Sequence, residues 1–129
     1  MVTLVWHPTA PLAAGTVMAS RFLLSRRRSV PGFLIASLRI WRSVRRAPGC
    51  RAAALRAQPL ARTFWTISVW ETPEALRRYA AGPGHAVIAQ RQRPRAAESD
   101  FAYWQSAAGL PDWAEAEHRI ERVRVLREP

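Results

Sequence analysis

The strongest strand signal in this chain is Arg62-Thr-Phe-Trp-Thr-Ile-Ser-Val-Trp70, a run of β-branched and aromatic residues without glycine or proline. Side chains alternate across a strand, so Trp65 and Trp70, an odd number of positions apart, point to opposite faces. Both faces carry apolar residues. We therefore expect each face of this strand to be at least partly covered.

Further strands and helices are predicted on either side of this strand. A helix begins at Ser29-Val-Pro-Gly32, with Ser29 as its cap, and ends at Ala47-Pro-Gly49. The segment 50–60 is rich in alanine, which favours a helix, but its place before the strong strand favours a hairpin partner. The remaining predicted elements are a short strand or arm at 1–7, a strand at 16–23, helices at 72–80 and 85–91, and a strand at 99–106.

This order of elements is a ferredoxin-like βαββαβ unit of the α+β class, with an antiparallel sheet and both helices on one face. We expect one domain over 1–129: an N-terminal arm at 1–15, a core at 16–107, and a charged, solvent-facing C-terminal helix or tail at 108–129. The second face of the sheet then needs a cover. In a chain this short, the sheet of a second subunit is the natural one, which predicts a homodimer.

The composition is that of a globular protein, with 49% hydrophobic and 22% charged residues in 129. It excludes a disordered polyelectrolyte, a collagen-like chain and a disulfide scaffold. The single cysteine, Cys50, cannot form an intramolecular disulfide, and with no secretion signal we expect a cytoplasmic protein. The uncharged run 29–38 is far shorter than a membrane-spanning helix, so no membrane association is expected.

The positive charge is concentrated in the first part of the chain. All 20 basic residues are arginine, and residues 1–70 hold 11 of them before the first carboxylate, Glu71. Such asymmetry suits an anionic partner, whether nucleic acid, an acidic membrane surface or an acidic small molecule. However, the absence of Lys and Asn indicates a GC-rich coding sequence, and no nucleic-acid motif is visible. Nucleic acid therefore stays an alternative rather than the expected partner.

Several segments resemble the dimeric α/β-barrel superfamily, and more narrowly the small proteins related to antibiotic-biosynthesis monooxygenases. The similar segments are Val17-Met-Ala-Ser-Arg-Phe22, Val30-Pro-Gly-Phe33, Arg45-Arg-Ala-Pro-Gly49, Thr63-Phe-Trp-Thr-Ile-Ser-Val-Trp-Glu71 and His85. The segments Phe101-Ala-Tyr-Trp104 and Pro111-Asp-Trp-Ala-Glu-Ala116 are similar to the DUF3291 proteins. The resemblance spans residues 16–120. It implies a ferredoxin-like protomer that dimerises sheet to sheet and holds an apolar pocket between its sheet and helices.

The resemblance implies a small-molecule enzyme of secondary metabolism, of the antibiotic-biosynthesis type. Members of the superfamily include cofactor-independent monooxygenases, heme-degrading and heme-binding enzymes, and non-redox cyclases or isomerases. We expect a monooxygenase-like enzyme that needs no cofactor and takes an aromatic or polyketide-like substrate. A non-redox cyclase or isomerase, a heme-binding protein and a basic nucleic-acid-binding protein remain alternatives. The oxygenases and heme-degrading members commonly use a pocket Asn, and this chain contains none.

The expected catalytic residues are His85 as base, Arg62 as oxyanion partner and Trp65 as an aromatic wall. An imidazole can remove a proton from an enol or phenol or ligate heme iron, although a helix-starting His can also serve only as a hydrogen-bonding group. The residues expected to bind substrate are the aromatic and basic side chains Trp70, Tyr103, Trp104, Trp41, Arg39 and Arg21. The alternative is that the aromatic residues form core or dimer interface and the arginines are solvated.

No metal site is expected, because the three histidines lack ligand spacing. Cys50 has no partner pattern of a nucleophile, and we expect a buried structural thiol. Without a glycine-rich phosphate loop or a G-x-S-x-G motif, nucleotide cofactors and serine hydrolysis are disfavoured.

Overall fold

The protein is built on one antiparallel sheet of five strands, seen in a computed structural model that describes residues 1–6, 14–107 and 111–127. The strands are β1 (Val2–Trp6), β2 (Gly15–Leu24), β3 (Cys50–Gln58), β4 (Thr63–Trp70) and β5 (Ala96–Ser106). The helices are α1 (Val30–Val44), α2 (Pro73–Ala81), α3 (Pro83–Gln92) and α4 (Trp113–Arg127). Short 3₁₀ turns lie at Arg27–Ser29, Pro59–Ala61 and Arg93–Arg95.

The strand order, β1-β3-β4-β2-β5, contains the ferredoxin-like sheet with one strand added at an edge. Strands β2 to β5 form the predicted unit, and helices α1, α2 and α3 pack on one of its faces. The predicted α+β class, antiparallel sheet and one-sided helices of that unit are confirmed. The added strand β1 pairs with β3 of the same chain, with Leu4 opposite Leu55.

The hairpin of β3 and β4 forms as the sequence predicts, with Ala54 opposite Ile67. The turn between the strands ends at Arg62, which has a left-handed backbone with φ of 52°. The alanines of β3 are almost completely buried. A segment with helical propensity is therefore a strand because its small side chains can be covered on both faces of the sheet.

Helix α2 begins at a side-chain cap. The Ala75 amide donates to Thr72 Oγ1 at 3.1 Å, and Pro73 occupies the first helical position. The chain before β3 allows this helix to approach closely. A Cβ at Gly49, which has φ of 87°, would lie 2.6 Å from the Ala75 Cβ, so only glycine fits there.

The C-terminal helix α4 lies on the face of the sheet opposite α1, α2 and α3. Ala116 and Ile120 are fully buried in a cluster with Val17, Ile67 and Val69. The prediction of a solvent-facing helix was therefore wrong. The helix is polar on average, but Trp113, Ala116, Ile120 and Val123 recur at helical spacing and form one narrow apolar stripe.

Helix α4 is also held by charged groups that reach it from the sheet. Arg56 pairs with Glu117, and its guanidinium lies 5.0 Å from the Trp65 ring and 4.7 Å from the Trp113 ring. Because α4 covers the central part of this face, the described residues do not leave the fully open surface from which a second subunit was inferred. The homodimer itself stays a prediction.

Candidate functional site

A cavity of about 860 Å³ lies between the sheet and helices α1, α2 and α3. This volume is in the range of small-molecule sites. Its walls are mainly apolar. The lining residues with polar groups that could contact a ligand include Ser20, Trp41, Thr66, Trp70, Tyr79 and His85. No Asp or Glu is among the described residues that line it. The cavity therefore combines apolar walls with neutral and cationic polar groups.

The floor of the cavity carries hydroxyl groups, because alternate residues of β2 and β4 face the helices. Ser20 and Thr66 lie opposite each other and share a hydrogen bond. The Trp70 indole donates to Ser68 Oγ at 2.8 Å, and Trp70 is fully buried. These hydrogen bonds fix a polar strip beneath the apolar walls, and each hydroxyl oxygen retains further capacity toward a ligand.

His85 lies in the first turn of α3, which Gly82-Pro83-Gly84 initiates. Its Nδ1 lies 3.0 Å from the carbonyl oxygen of Ala80. A carbonyl oxygen can only accept a hydrogen bond, so Nδ1 carries the hydrogen. In the neutral imidazole, Nε2 is then the unprotonated nitrogen and can accept a proton.

Three rings follow one another from the sheet to His85. The Trp70 and Tyr79 ring centroids are 5.4 Å apart, and those of Tyr79 and His85 are 5.3 Å apart. The Tyr79 hydroxyl donates to the Ile40 carbonyl at 3.2 Å and is also bonded to Ser43. Burial raises the pKa of Tyr79. The hydrogen bond with Ser43 lowers this pKa in part, and the nearby Cys50 thiol adds to the rise. Tyr79 is thus a neutral, rigid wall beside His85.

Tyr79 is the functional residue that sequence reasoning missed. Its only signal was its position on α2, where Ala75, Leu76 and Tyr79 recur at helical spacing and mark the inner face. A second cavity of about 300 Å³ adjoins the same place, and Tyr79 and His85 line both cavities. The two rings therefore stand between a large apolar space and a smaller one.

The structure brings only one of the three expected catalytic residues to the cavity. His85 lines it, whereas Arg62 and Trp65 do not. Arg62 lies in the hairpin turn and donates from Nη1 to the Ser25 carbonyl at 3.2 Å. Trp65 is on the α4 face of β4, where its Nε1 donates to Gln58 at 3.1 Å. Strand alternation alone puts Trp65 on the side away from His85.

The residues expected to bind substrate divide between the two faces of the sheet. Trp41, Trp70 and Tyr103 line the cavity, and the Trp41 Nε1 is buried without a hydrogen-bond partner among the described residues. Trp104 contributes to the lining, but the Arg119 guanidinium of α4 lies 4.6 Å from its ring.

The two arginines in that expected set lie elsewhere. Arg21 faces α4 and pairs with Asp100 at 3.3 Å, and Arg39 is not part of the cavity lining. Neither guanidinium is brought to the His85 end of the cavity, so the cationic contribution to the lining comes from Arg77 and Arg93 instead.

Cys50 is partly buried, and its Sγ lies 3.6 Å from the Ala52 carbonyl oxygen. Burial raises the pKa of the Cys50 thiol from 9.0 to about 12, so the thiol is protonated at neutral pH.

His7 lies outside the described residues. Within the described ranges, no group of three His, Cys, Asp or Glu side chains could hold a metal ion. No described helix is both long enough and apolar enough to cross a bilayer.

Solved structures share this fold. SnoaB, a cofactor-independent oxygenase from Streptomyces nogalater, is 22% identical with a TM-score of 0.62, over 78% of this chain and 100% of that chain. A candidate antibiotic biosynthesis monooxygenase from Caulobacter crescentus CB15 is 13% identical with a TM-score of 0.65, over 75% and 93%. A further antibiotic biosynthesis monooxygenase is 15% identical with a TM-score of 0.62, over 72% and 97%. A search of curated proteins gave no match.

The fold, with its cavity between the sheet and the helices, is that of a ferredoxin-like protein. A model of the family described as "Domain of unknown function (DUF3291)" matches residues 24–126. The chain belongs to the DUF3291 family, which confirms the resemblance seen in its sequence. At these identities, the solved structures establish the fold and not the reaction.

Proposed function

We propose that this protein is a small-molecule enzyme that oxidises a reduced aromatic, polyketide-like substrate with dioxygen and without a bound cofactor. The observation that carries the proposal is the fixed ring of His85 at the wall of an apolar cavity. Its Nδ1 is engaged by the Ala80 carbonyl at 3.0 Å, which leaves Nε2 as a base. SnoaB, a cofactor-independent oxygenase of the same fold, supports this proposal.

The reaction begins with transfer of a proton from an acidic C–H or phenolic O–H of the substrate to His85 Nε2. The resulting carbanion or phenolate is electron-rich and reduces dioxygen itself. For a methylene group flanked by aromatic rings, one oxygen atom becomes the new carbonyl oxygen. The other leaves as water with the two hydrogens of the methylene, so the substrate is the only reductant.

Neutral donors would support the negative charge that develops on the substrate oxygen. Ser20, Thr66 and Ser68 place hydroxyls on the floor of the cavity. These groups take the role that the sequence suggested for Arg62. Hydrogen bonds to an anion are stronger beside apolar walls than in bulk water.

Oxygen uptake with an anthrone as substrate tests the proposal. The wild-type protein is expected to consume one dioxygen per anthraquinone formed. The variant His85→Gln should lower kcat/KM by about 10²–10⁴-fold. The matched control is His118→Gln, at an exposed position of α4, which should retain full activity. Equal rates for wild type and His85→Gln would refute the role of His85. Turnover without oxygen would instead favour the cyclase or isomerase alternative.

A further inference from the structure

Three chain segments that carry six arginines meet at Ser25, near the end of the cavity that Arg93 lines. We call Arg26, Arg27, Arg28, Arg62, Arg93 and Arg95 the arginine cluster. The Ser25 amide donates to the Arg95 carbonyl at 3.0 Å, and Arg62 Nη1 donates to the Ser25 carbonyl at 3.2 Å. Two backbone turns and the end of β2 are therefore joined at Ser25, directly before Arg26, Arg27 and Arg28.

No carboxylate in the described part of the chain neutralises the arginine cluster. Each ion pair between described residues involves other arginines, and no described carboxylate lies within 4.0 Å of a guanidinium of the cluster. Arg62 is partly exposed and the other five are exposed. Seven of the eight described acidic residues instead pair with Arg21, Arg51, Arg56, Arg77, Arg119 and Arg124. The cluster thus carries uncompensated positive charge beside the cavity, and Arg39, Arg42, Arg45 and Arg46 near the end of α1 likewise have no carboxylate partner among the described residues.

The arginine cluster is continuous with the cavity, because Arg93 belongs to both. Phe22, Phe33 and Phe101 line the same end of the cavity, with Phe22 ring centroids 5.5 and 5.6 Å from those of Phe33 and Phe101. Helix α3 runs from His85 at one end to Arg93 just past the other, which is about 12 Å at 1.5 Å per residue. The cavity is therefore long, with a base at one end and cations at the other.

We propose that the natural ligand is an elongated apolar molecule with a phosphate-bearing tail, which binds with its tail on the arginine cluster and its apolar body in the cavity. One guanidinium group can bind two oxygens of a phosphate at once. Several uncompensated guanidiniums therefore fit a tail with several negative charges better than they fit a single carboxylate. The inference deepens the proposed function, since the apolar body would reach His85. A bare nucleic acid would use the charges but not the cavity.

Calorimetric titration with octanoyl-coenzyme A, octanoate and coenzyme A separates the two parts of the proposed ligand. The joint site predicts that octanoyl-coenzyme A binds at least tenfold more tightly than either half. It also predicts that this affinity falls steeply with salt, because several phosphate contacts are screened. If coenzyme A alone or a short DNA duplex binds as tightly as the thioester, the cluster is a general polyanion site and the proposal is overturned.

A pair of double variants with equal loss of charge identifies the place of binding. Arg93→Gln with Arg95→Gln should weaken octanoyl-coenzyme A at least tenfold. Arg42→Gln with Arg46→Gln, on exposed positions near the other end of α1, should leave it within twofold. Equal losses in the two double variants would overturn the proposal.

The neutral fluorophore N-phenyl-1-naphthylamine reports on the apolar cavity alone. It should bind both double variants as it binds the wild type, which also shows that they are folded. If the wild type binds this fluorophore but binds octanoyl-coenzyme A no more tightly than octanoate or coenzyme A, the phosphate-tail proposal is overturned and the proposed function stands. Failure of the fluorophore to bind wild type would count against both.

Discussion

His85 Nδ1 lies 3.0 Å from the carbonyl oxygen of Ala80, which is in the last turn of the preceding helix, α2. The contact joins the end of α2 to the first turn of α3, so the orientation of the ring is set by the backbone. It leaves Nε2 as the nitrogen that can accept a proton. The same ring lines the large cavity and the small one. The proposed chemistry depends on this arrangement.

The tautomer of His85 is the first testable consequence. In the neutral imidazole, the Nδ1–H tautomer should dominate, because only that form donates to the Ala80 carbonyl. Nitrogen-15 NMR of labelled protein distinguishes the two nitrogens by chemical shift, and His85→Gln assigns the signal. A dominant Nε2–H tautomer for His85 would contradict the geometry, since Nδ1 would then face a carbonyl with no hydrogen between them.

Cys50 gives an expectation about alkaline stability. Burial raises the pKa of its thiol from 9.0 to about 12 in the folded state, so above pH 9 the unfolded chain loses this proton more readily than the folded one. The free energy of unfolding should therefore fall as pH rises from about 9 toward 12, and Cys50→Ala should reduce that slope. Urea titrations across this range measure it. The partly buried Tyr79 phenol, whose pKa is also raised from 10.0, adds to the fall in both proteins, and adds less in Cys50→Ala because Cys50 is one cause of its shift.

Cys50 should also react slowly with thiol reagents in the native protein. The thiolate is the nucleophile, and at pH 8 the folded protein holds almost none of it. Labelling with iodoacetamide should be many times faster in urea than in native buffer. Equal rates in the two conditions would show that the thiol is neither buried nor shifted.

The docking of α4 can be tested at Ile120, which is 1% exposed. Replacement by alanine leaves a void against Val17 and Ile67 and should lower the free energy of unfolding by about 2–5 kcal/mol. Leu126→Ala removes a similar side chain from the same helix at a position that is 85% exposed, and should change stability by less than about 0.5 kcal/mol. Equal effects of the two substitutions would place α4 away from the sheet.

The buried carboxylate of Asp100 makes a second prediction for this face of the sheet. Its side chain is fully buried and lies 3.3 Å from the Arg21 guanidinium. Asp100→Asn would leave that cation without its closest charge partner, at a cost of about 3–5 kcal/mol. The control is Glu121→Gln, which removes an exposed partner of Arg124 and should cost no more than about 1 kcal/mol. Chemical denaturation of both variants compares them directly.

Much of the fold follows from local signals in the sequence. Residues 62–70 specify a strand by their alternation, Thr72-Pro73 specifies the start of α2, and Pro48-Gly49 separates α1 from β3, each without reference to the rest. The βαββαβ order then fixes the antiparallel sheet. Strand alternation also places Trp65 and Trp70 on opposite faces, as the structure shows.

The parts that could not be predicted depend on how elements meet. Nothing local shows that Arg21 and Arg56 pair with acids of β5 and α4, so both could be taken for ligand-binding groups or solvated charges. Helix α4 is so polar on average that its narrow apolar stripe is hidden. Tyr79 gains its place beside His85 only when α2 and α3 turn against each other.

The most direct test of the central claim is removal of the substrate proton in the absence of oxygen. An anthrone mixed anaerobically with the wild-type protein should give the absorption band of its anion, with an amplitude that saturates at one anion per chain. His85→Gln should bind the anthrone without forming the anion, and His118→Gln should behave as wild type. Anion formation by His85→Gln equal to that of wild type would contradict the claim that His85 Nε2 is the base.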